Sequence, residues 1–142
     1  MKKLIIVLED LQPHRERIVP ILEDIFDVIP TGSAGDFRSA HAGLSATDQA
    51  RLAGAVIDWY GPEDSADPFK RWAVGRKVLE EWMSNTALPA IVWTAYPEEV
   101  FPFEKEFAAK FGDRVRWLVK GDDLNVVVLL ASWMINGSFP PK

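Results

Sequence analysis

Acidic residues follow two short apolar runs of this chain, at positions where a buried strand would end. Glu9 and Asp10 come directly after Leu4–Leu8, and Asp58 comes directly after residues 53–57. Carboxylates that meet repel one another and have raised pKa values unless a cation neutralises them. Mg²⁺ suits that role because it prefers hard oxygen ligands and usually binds one or two carboxylates together with phosphate oxygens. These residues therefore predict a Mg²⁺ site in which Asp58 can act as a carboxylate nucleophile towards phosphorus.

A hydroxyl and an ammonium group occupy equivalent positions at two later apolar runs. Thr94 ends the run Ala90–Thr94, and Lys120 follows Val115–Val119. Lysine can neutralise part of the carboxylate charge and contact a phosphoryl oxygen as a point charge. Thr94 can hydrogen-bond an oxygen of a phosphoryl group attached to Asp58. Because phosphoryl transfer depends mainly on positioning and charge stabilisation, Asp58, Thr94 and Lys120 are the predicted catalytic residues.

Five apolar runs of strand length must position these side chains. The predicted strands are Leu4–Leu8, 26–29, 53–57, Ala90–Thr94 and Val115–Val119. Continuous apolar runs flanked by charge are typical of strands that are buried on both faces of a parallel sheet. The second run is expected to be short and to end at Pro30 and Gly32.

The segments between these runs have helical periodicity. The predicted helices cover about 13–25, 33–52, 69–83, 98–111 and 122–135. Their apolar stripes include Ile18, Ile21, Leu22 and Ile25 in the first helix and Trp72, Val78, Leu79 and Trp82 in the third. The second helix is expected to break at Gly43, and the fourth to begin irregularly because of Pro102.

Alternating strands and helices predict a doubly wound parallel sheet with helices on both faces. Five strands and five helices are typical of a flavodoxin-like α/β fold, and 142 residues suit one domain, 1–142, with an unstructured tail at about 137–142. Ligands of such sheets bind at the carboxyl ends of the strands, near the point where strand order reverses. The carboxylates, the hydroxyl and the ammonium are therefore expected to converge at one edge.

Composition excludes several other classes of function. The chain has no Cys, which excludes disulfides and Cys nucleophiles and is compatible with the cytoplasm, where we expect the protein. A net charge of −5 disfavours nonspecific binding to nucleic acid or to an anionic membrane. The apolar run Leu4–Leu8 is too short for a signal peptide or a membrane span.

The order of these residues resembles that of bacterial response-regulator receiver domains over nearly the whole chain. Three further features carry the resemblance. Pro62 lies four residues beyond Asp58, Arg15 lies five beyond Asp10, and Trp117 lies three before Lys120. The resemblance implies the strand order 2-1-3-4-5, which the receiver-type flavodoxin-like folds share.

The same resemblance implies the roles of the site residues. Asp58 would be the phosphoacceptor. Mg²⁺ would be bound by Asp10, Asp58 and the backbone carbonyl of Tyr60, with Glu9 acting through water. Thr94 and Trp117 would form a switch pair, in which the hydroxyl moves towards the phosphoryl group and the aromatic ring turns inward.

Three features depart from the receiver pattern. Lys120 is followed by Gly121, where receivers usually have Pro with a cis peptide bond. The segment between Asp58 and Thr94 is longer than usual, and its loop, residues 59–68, is acidic and expected to be mobile. Tyr60 and Tyr96 lie two residues beyond Asp58 and Thr94, positions that in receivers influence access of water; if both rings shield the phosphoryl group, its hydrolysis should be slow.

The predicted function is that of a stand-alone receiver, a signalling domain rather than an enzyme. It would accept a phosphoryl group from a histidine kinase or a histidine phosphotransfer protein and act on a downstream protein target. The alternative is a degenerate receiver that binds partners without phosphorylation, which the missing Lys-Pro step favours. A Mg²⁺-dependent phosphohydrolase of the haloacid-dehalogenase or Toprim kind is disfavoured, because those families have a second Asp where this chain has Tyr60.

Two further predictions concern surfaces. The last helix carries apolar residues at 126–130, Trp133 and Met134, which either belong to the core or form a homodimer surface. His14 and His41 lack partners at metal-ligand spacing, and both are interpreted as surface residues.

Overall fold

The computed structural model describes residues 1–64 and 72–142. Its centre is one five-stranded parallel sheet with the order β2-β1-β3-β4-β5. The strands are β1 (Leu4–Leu8), β2 (Asp27–Thr31), β3 (Leu52–Ile57), β4 (Ala90–Thr94) and β5 (Val115–Val119). The predicted flavodoxin-like fold and its strand order are confirmed.

Helices cover both faces of the sheet. They are α1 (Gln12–Glu23), α2 (Ala34–Ala42), α3 (Ala46–Arg51), α4 (Val74–Asn85), α5 (Pro97–Val100), a 3₁₀ turn (Phe101–Phe103), α6 (Glu104–Phe111) and α7 (Asp123–Asn136). Residues of α1 and α7 share one buried cluster, whereas residues of α2, α4 and α6 share the other. In the part of the chain that is described, no helix is both long and apolar enough to cross a bilayer.

The central strands are almost entirely apolar, with Thr94 at the end of β4 as the exception, because both of their faces are covered. Every residue of β1 and of β4 is buried, as expected for strands inside a two-faced parallel sheet. Alternate side chains of β1 enter opposite clusters, so that Ile6 packs with the α4 layer and Ile5 with the α1 layer. This two-sided burial fixes the register that brings the strand ends together.

The order of the strands reverses at β1, which pairs with both β2 and β3. Leu8 is in register with Ile57 of β3 and with Thr31 of β2. The chain therefore leaves β1 and β3 at the same height, at the point where doubly wound sheets bind their ligands.

The second strand ends directly before Gly32, as expected, but the prediction that Pro30 also ends it is wrong. Pro30 lies within β2 and is in register with Val7. Proline is tolerated there because β2 is an edge strand, where one side of the backbone needs no ladder partner. Phe26 precedes the strand and is buried beneath α1.

The third helix begins later than predicted. Residues 65–68 of the acidic loop and Phe69 lie outside the described residues, and α4 begins at Val74. Trp72 was expected in its apolar stripe, but its side chain is exposed. Its backbone instead exchanges two hydrogen bonds with Gly61.

Other boundaries differ by smaller amounts. The predicted break at Gly43 divides the second segment into α2 and α3, while Leu52 belongs to β3. The fourth segment is interrupted by the 3₁₀ turn that contains Pro102, a larger irregularity than expected. Ile25 lies beyond the end of α1 and is exposed, so it is not part of the buried stripe.

The C-terminal residues have no helix or strand, but they are packed. Phe139 is buried against Trp133, with ring centroids 4.9 Å apart. Arg116 donates a hydrogen bond of 2.8 Å to the carbonyl of Pro140. Four apolar residues of α7 belong to the core, namely Val126, Val127, Leu129 and Leu130, whereas Leu124, Val128, Met134 and Ile135 are exposed.

Candidate functional site

Three carboxylates meet at the carboxyl ends of β1 and β3. Ligand atoms of Glu9, Asp10 and Asp58 all lie within 4.8 Å of one another. Glu9 and Asp58 are buried, and Asp10 is half-buried. The structure thus brings together the three acidic side chains that the sequence placed after these two strands.

Lys120 extends its ammonium group into this cluster. Its Nζ lies 2.6 Å from Oε2 of Glu9 and 3.3 Å from Oδ2 of Asp58. Only 6% of the lysine side chain is exposed, so little water screens these ion pairs. Because one ammonium faces three carboxylates, the cluster keeps an excess of negative charge when all four groups are ionised.

This negative excess changes the acidity of Asp58. Burial, and then the charge of Glu9, raise the pKa of Asp58 to about 7, although Lys120 opposes the shift. A carboxyl whose pKa lies near neutrality is readily ionised by one more positive charge. The cluster therefore favours a cation beside Asp58.

The donor atoms fit a hard divalent cation. Carboxylate oxygens converge from Glu9, Asp10 and Asp58, which is the oxygen chemistry that Mg²⁺ prefers. The loop after Asp58 runs along the same edge, because a Cβ added at Gly61 would lie 3.7 Å from Oδ1 of Asp10. The side chain of the preceding residue, Tyr60, points away and donates a hydrogen bond of 2.8 Å to Glu99.

The backbone holds Asp58 from two sides. Its N–H donates to the carbonyl of Leu8 at 2.9 Å, which ties the end of β3 to β1. On the other side, the first turn of α4 touches the backbone of Asp58. A Cβ built at Gly75 would lie 2.2 Å from the Asp58 carbonyl oxygen, so only glycine fits there. Sequence reasoning missed Gly75, and a helix with glycine in its first turn is too common a pattern to identify it.

Thr94 is fully buried at the carboxyl end of β4. Its hydroxyl accepts a hydrogen bond of 3.0 Å from the N–H of Tyr96, and its carbonyl accepts one of 2.8 Å from the N–H of Lys120. Tyr96 in turn packs edge-on against Tyr60, with centroids 5.6 Å apart. The two tyrosines singled out by their spacing thus contact each other.

Trp117 lies in the core on the α6 side of the sheet, with 8% of its surface exposed. Its ring is 5.6 Å from Trp59 and 5.6 Å from Phe107, centroid to centroid. The indole therefore adjoins Trp59, the residue directly after Asp58, and the aromatic cluster under α6.

His14 is a second residue of this site that sequence reasoning missed. The prediction that both histidines are surface residues is wrong, since the rings of His14 and His41 are both half-buried. His14 Nδ1 lies 2.8 Å from Nζ of Lys120 and 3.7 Å from Glu9. Burial, and then the charge of Lys120, lower the pKa of His14. Its position in the first turn of α1 places it close to the acidic pair, but no spacing in the sequence relates it to Lys120.

Arg15 supports the same turn. Its guanidinium donates to the carbonyl oxygens of Glu9, at 2.7 Å, and of Asp10, at 3.0 Å. These bonds fix the backbone from which both carboxylates project.

Comparison with solved structures identifies the class of fold. A CheY-like response regulator receiver domain protein from Methanospirillum hungatei JF-1 has a TM-score of 0.70 at 15% identity, with 96% of each chain covered. A sensor protein from Polaromonas sp. JS666 has a TM-score of 0.69 at 20% identity, over 96% of this chain and 98% of that one. The Thermotoga maritima response regulator DrrB has a TM-score of 0.69 at 13% identity, with 98% of this chain and 55% of that chain covered.

The chain therefore has the fold of response-regulator receiver domains. Its sequence matches no protein-family model and no curated protein. At such low identities the likeness extends to the fold, and the function has to be argued from the side chains.

Proposed function

We propose that this chain is a response-regulator receiver that accepts a phosphoryl group on Asp58. The observation that carries the proposal is the placement of buried Asp58 at the end of β3, beside Glu9 and Asp10 and 3.3 Å from the ammonium of Lys120. That arrangement combines a nucleophile, a set of oxygen ligands for a cation and a fixed positive charge.

Mg²⁺ would be held by Asp10, Asp58 and the backbone carbonyl of Tyr60, with Glu9 acting through water. When bound, the ion supplies positive charge that stabilises the phosphoryl oxygens. The transfer itself would be carried out by Asp58 and Lys120. An oxygen of Asp58 attacks phosphorus, the bond between phosphorus and the donor atom breaks, and the leaving group departs with the bonding electrons. Lys120 then contacts a phosphoryl oxygen.

The signal would pass through Thr94 and Trp117. The Thr94 hydroxyl accepts a hydrogen bond from the N–H of Tyr96. The hydroxyl proton of Thr94 can therefore be donated to a phosphoryl oxygen while this bond is kept. Movement of the hydroxyl would pull on Tyr96 and on the strand end that carries Lys120. Trp117 would respond by repacking against Trp59 and Phe107. Such a local change of charge can bias a surface with two states.

The partners of this reaction follow from its chemistry. A histidine kinase or histidine phosphotransfer protein of the cytoplasm would supply the phosphoryl group, and a downstream protein would bind the altered surface. The outer face of α7, with exposed Leu124, Val128 and Ile135, supports contact with a second copy of the chain.

Exposure of the protein to Mg²⁺ and acetyl phosphate, followed by intact-mass measurement, tests the proposal. A single phosphate adduct is expected on the wild-type chain and none on Asp58→Asn. Asp24→Asn, which changes an exposed carboxyl of the same type at the end of α1, is the matched control and should form the adduct. If the Tyr60 and Tyr96 rings limit the access of water, the adduct should outlast several seconds after the donor is removed.

The same experiment separates the alternative function. A folded wild-type chain that forms no adduct and does not bind beryllofluoride would favour a degenerate receiver, which binds partners without phosphorylation. This alternative is supported by Gly121, which follows Lys120 where receivers usually have proline.

A further inference from the structure

The backbone of the loop after Lys120 has a conformation that a Lys-Pro step could not adopt. Gly121 has a φ of +112°, a conformation that favours glycine. Proline could not take its place, because its ring fixes φ near −65°. The backbone N–H of Gly121 also points to Oδ1 of Asp123, at 3.2 Å, and proline would have no N–H to donate. The position of Lys120 in this chain must therefore come from another source than a Lys-Pro step.

His14 is the side chain that meets the lysine from the opposite side. Its Nδ1 is 2.8 Å from Nζ of Lys120. An ammonium has three donors and no acceptor, so the imidazole must accept through Nδ1 and carry its proton on Nε2. Nζ also donates to Oδ2 of Asp58 at 3.3 Å and forms an ion pair with Oε2 of Glu9 at 2.6 Å, so the ammonium has a partner on each of three sides.

Trp93 completes the enclosure. Nζ of Lys120 lies 5.0 Å from the centroid of the indole ring, within range of a cation–π contact. The ring of His14 packs edge-on against the same indole, at 6.2 Å. The indole N–H donates to Oδ1 of Asp123 at 3.0 Å, the oxygen that also faces the N–H of Gly121. The carboxylate of Asp123 in α7 thus fixes both the Trp93 indole and the loop after Lys120.

We propose that His14 is a positioning residue which, together with Trp93, holds the Lys120 ammonium between Glu9 and Asp58 in place of the proline of the receiver pattern. This inference rests on the proposed function of Asp58. His14 acts through Lys120 by limiting the directions in which the long side chain can point. Without it, the ammonium has one fewer partner and more conformations to search before it meets a phosphoryl oxygen.

The test compares rate constants of adduct formation from acetyl phosphate. His14→Leu removes the acceptor and should lower the rate constant roughly tenfold, as expected for the loss of one hydrogen bond to a charged group. His14→Asn places an amide oxygen near the position of Nδ1 and should recover most of the rate. His41→Leu, which changes the chain's other histidine next to Trp82, is the control and should leave the rate unchanged.

A second measurement works without any variant and without phosphorylation. The ¹⁵N chemical shifts of the His14 ring at pH 8 report which nitrogen carries the proton, and the proposal requires the Nε2–H tautomer. The proposal is overturned by an Nδ1–H tautomer, by wild-type rates in His14→Leu, or by His14→Asn as slow as His14→Leu. If the wild-type chain forms no adduct while the Nε2–H tautomer is found, the phosphoacceptor role fails and the positioning of Lys120 stands.

Discussion

The two loops that build the site are held in different ways. In the loop after β3, Asp58 is fixed by backbone contacts, since its N–H donates to the carbonyl of Leu8 and its own carbonyl lies against Gly75. In the loop after β5, Lys120 is fixed mainly by side chains from other elements, His14 of α1 and Trp93 of β4. The position of Asp58 thus belongs to the architecture of the sheet, whereas the position of Lys120 depends on individual side chains. Changes to the backbone contacts of Asp58 should mainly affect stability, and changes to the surroundings of Lys120 should mainly affect the proposed reaction.

The largest expected effect comes from filling the contact between α4 and the backbone of Asp58. Gly75→Val would place Cβ 2.2 Å from the Asp58 carbonyl oxygen and 2.6 Å from Cα of Trp59. The backbone of Asp58 and Trp59 continues from β3 and cannot move away from α4 without disturbing that strand. We therefore expect the free energy of unfolding in urea to fall by about 3 kcal/mol.

Gly61→Ala is the matched control for this change. Its Cβ would meet nothing closer than 3.7 Å, so a loss of no more than about 0.5 kcal/mol is expected. Equal losses for the two variants would show that α4 does not pack against the backbone of Asp58 as described.

Gly121→Pro tests the loop after β5. Proline cannot adopt a φ of +112° and loses the N–H that faces Asp123, so the Lys120 loop must rearrange. We expect a loss of about 2 kcal/mol in unfolding free energy and a larger relative loss in the rate of adduct formation. A variant with faster adduct formation than wild type would mean that the Lys-Pro geometry is compatible with this site, and the distinction between the two loops would not hold.

The acidity of Asp58 gives the third prediction, which has the smallest effect. Its pKa is 3.8 in a free carboxyl and about 7 in the folded chain, so the folded state binds the proton more tightly than the unfolded state. Stability from this group is therefore lost as the pH rises from about 4 to about 7. Asp58→Asn, which mimics the protonated form, should unfold at higher urea than wild type at pH 8, by roughly 1–2 kcal/mol.

The pH dependence of this difference is the sharper observation. The advantage of Asp58→Asn should shrink towards zero as the pH falls to about 4, because the wild-type carboxyl is then protonated as well. Asp24→Asn, at an exposed position, should follow the wild-type curve. An advantage that is the same at pH 4 and pH 8 would rule out the ionised carboxylate as its source.

The strands and the acidic cluster could be predicted from the sequence because they depend on local patterns. Buried parallel strands are continuous apolar runs, and their carboxyl ends meet at one edge of the sheet. Residues that end such runs, Asp58 and Thr94 among them, could be placed without coordinates. Lys120 could be assigned to the same edge for the same reason.

The predictions that were wrong concern residues whose placement depends on tertiary contacts. Pro30 was expected to end a strand, but tertiary placement at the edge of the sheet allows it within β2. Trp72 fits a helical stripe by spacing, yet its backbone pairs with Gly61. His14 has no motif of its own, because its role depends on Lys120, a residue 106 positions away. Contacts of this kind between distant side chains cannot be inferred from the spacing of a single sequence.

The central claim is that Asp58 becomes an aspartyl phosphate, and borohydride reduction tests it most directly. The reagent converts an acyl phosphate of aspartate into homoserine, which peptide mass spectrometry can assign to one position. After treatment with Mg²⁺ and acetyl phosphate, we predict homoserine at position 58 and unchanged aspartate at position 10. Homoserine at another position, or none in a chain that carries a phosphate adduct, would contradict the assignment of Asp58 as the phosphoacceptor.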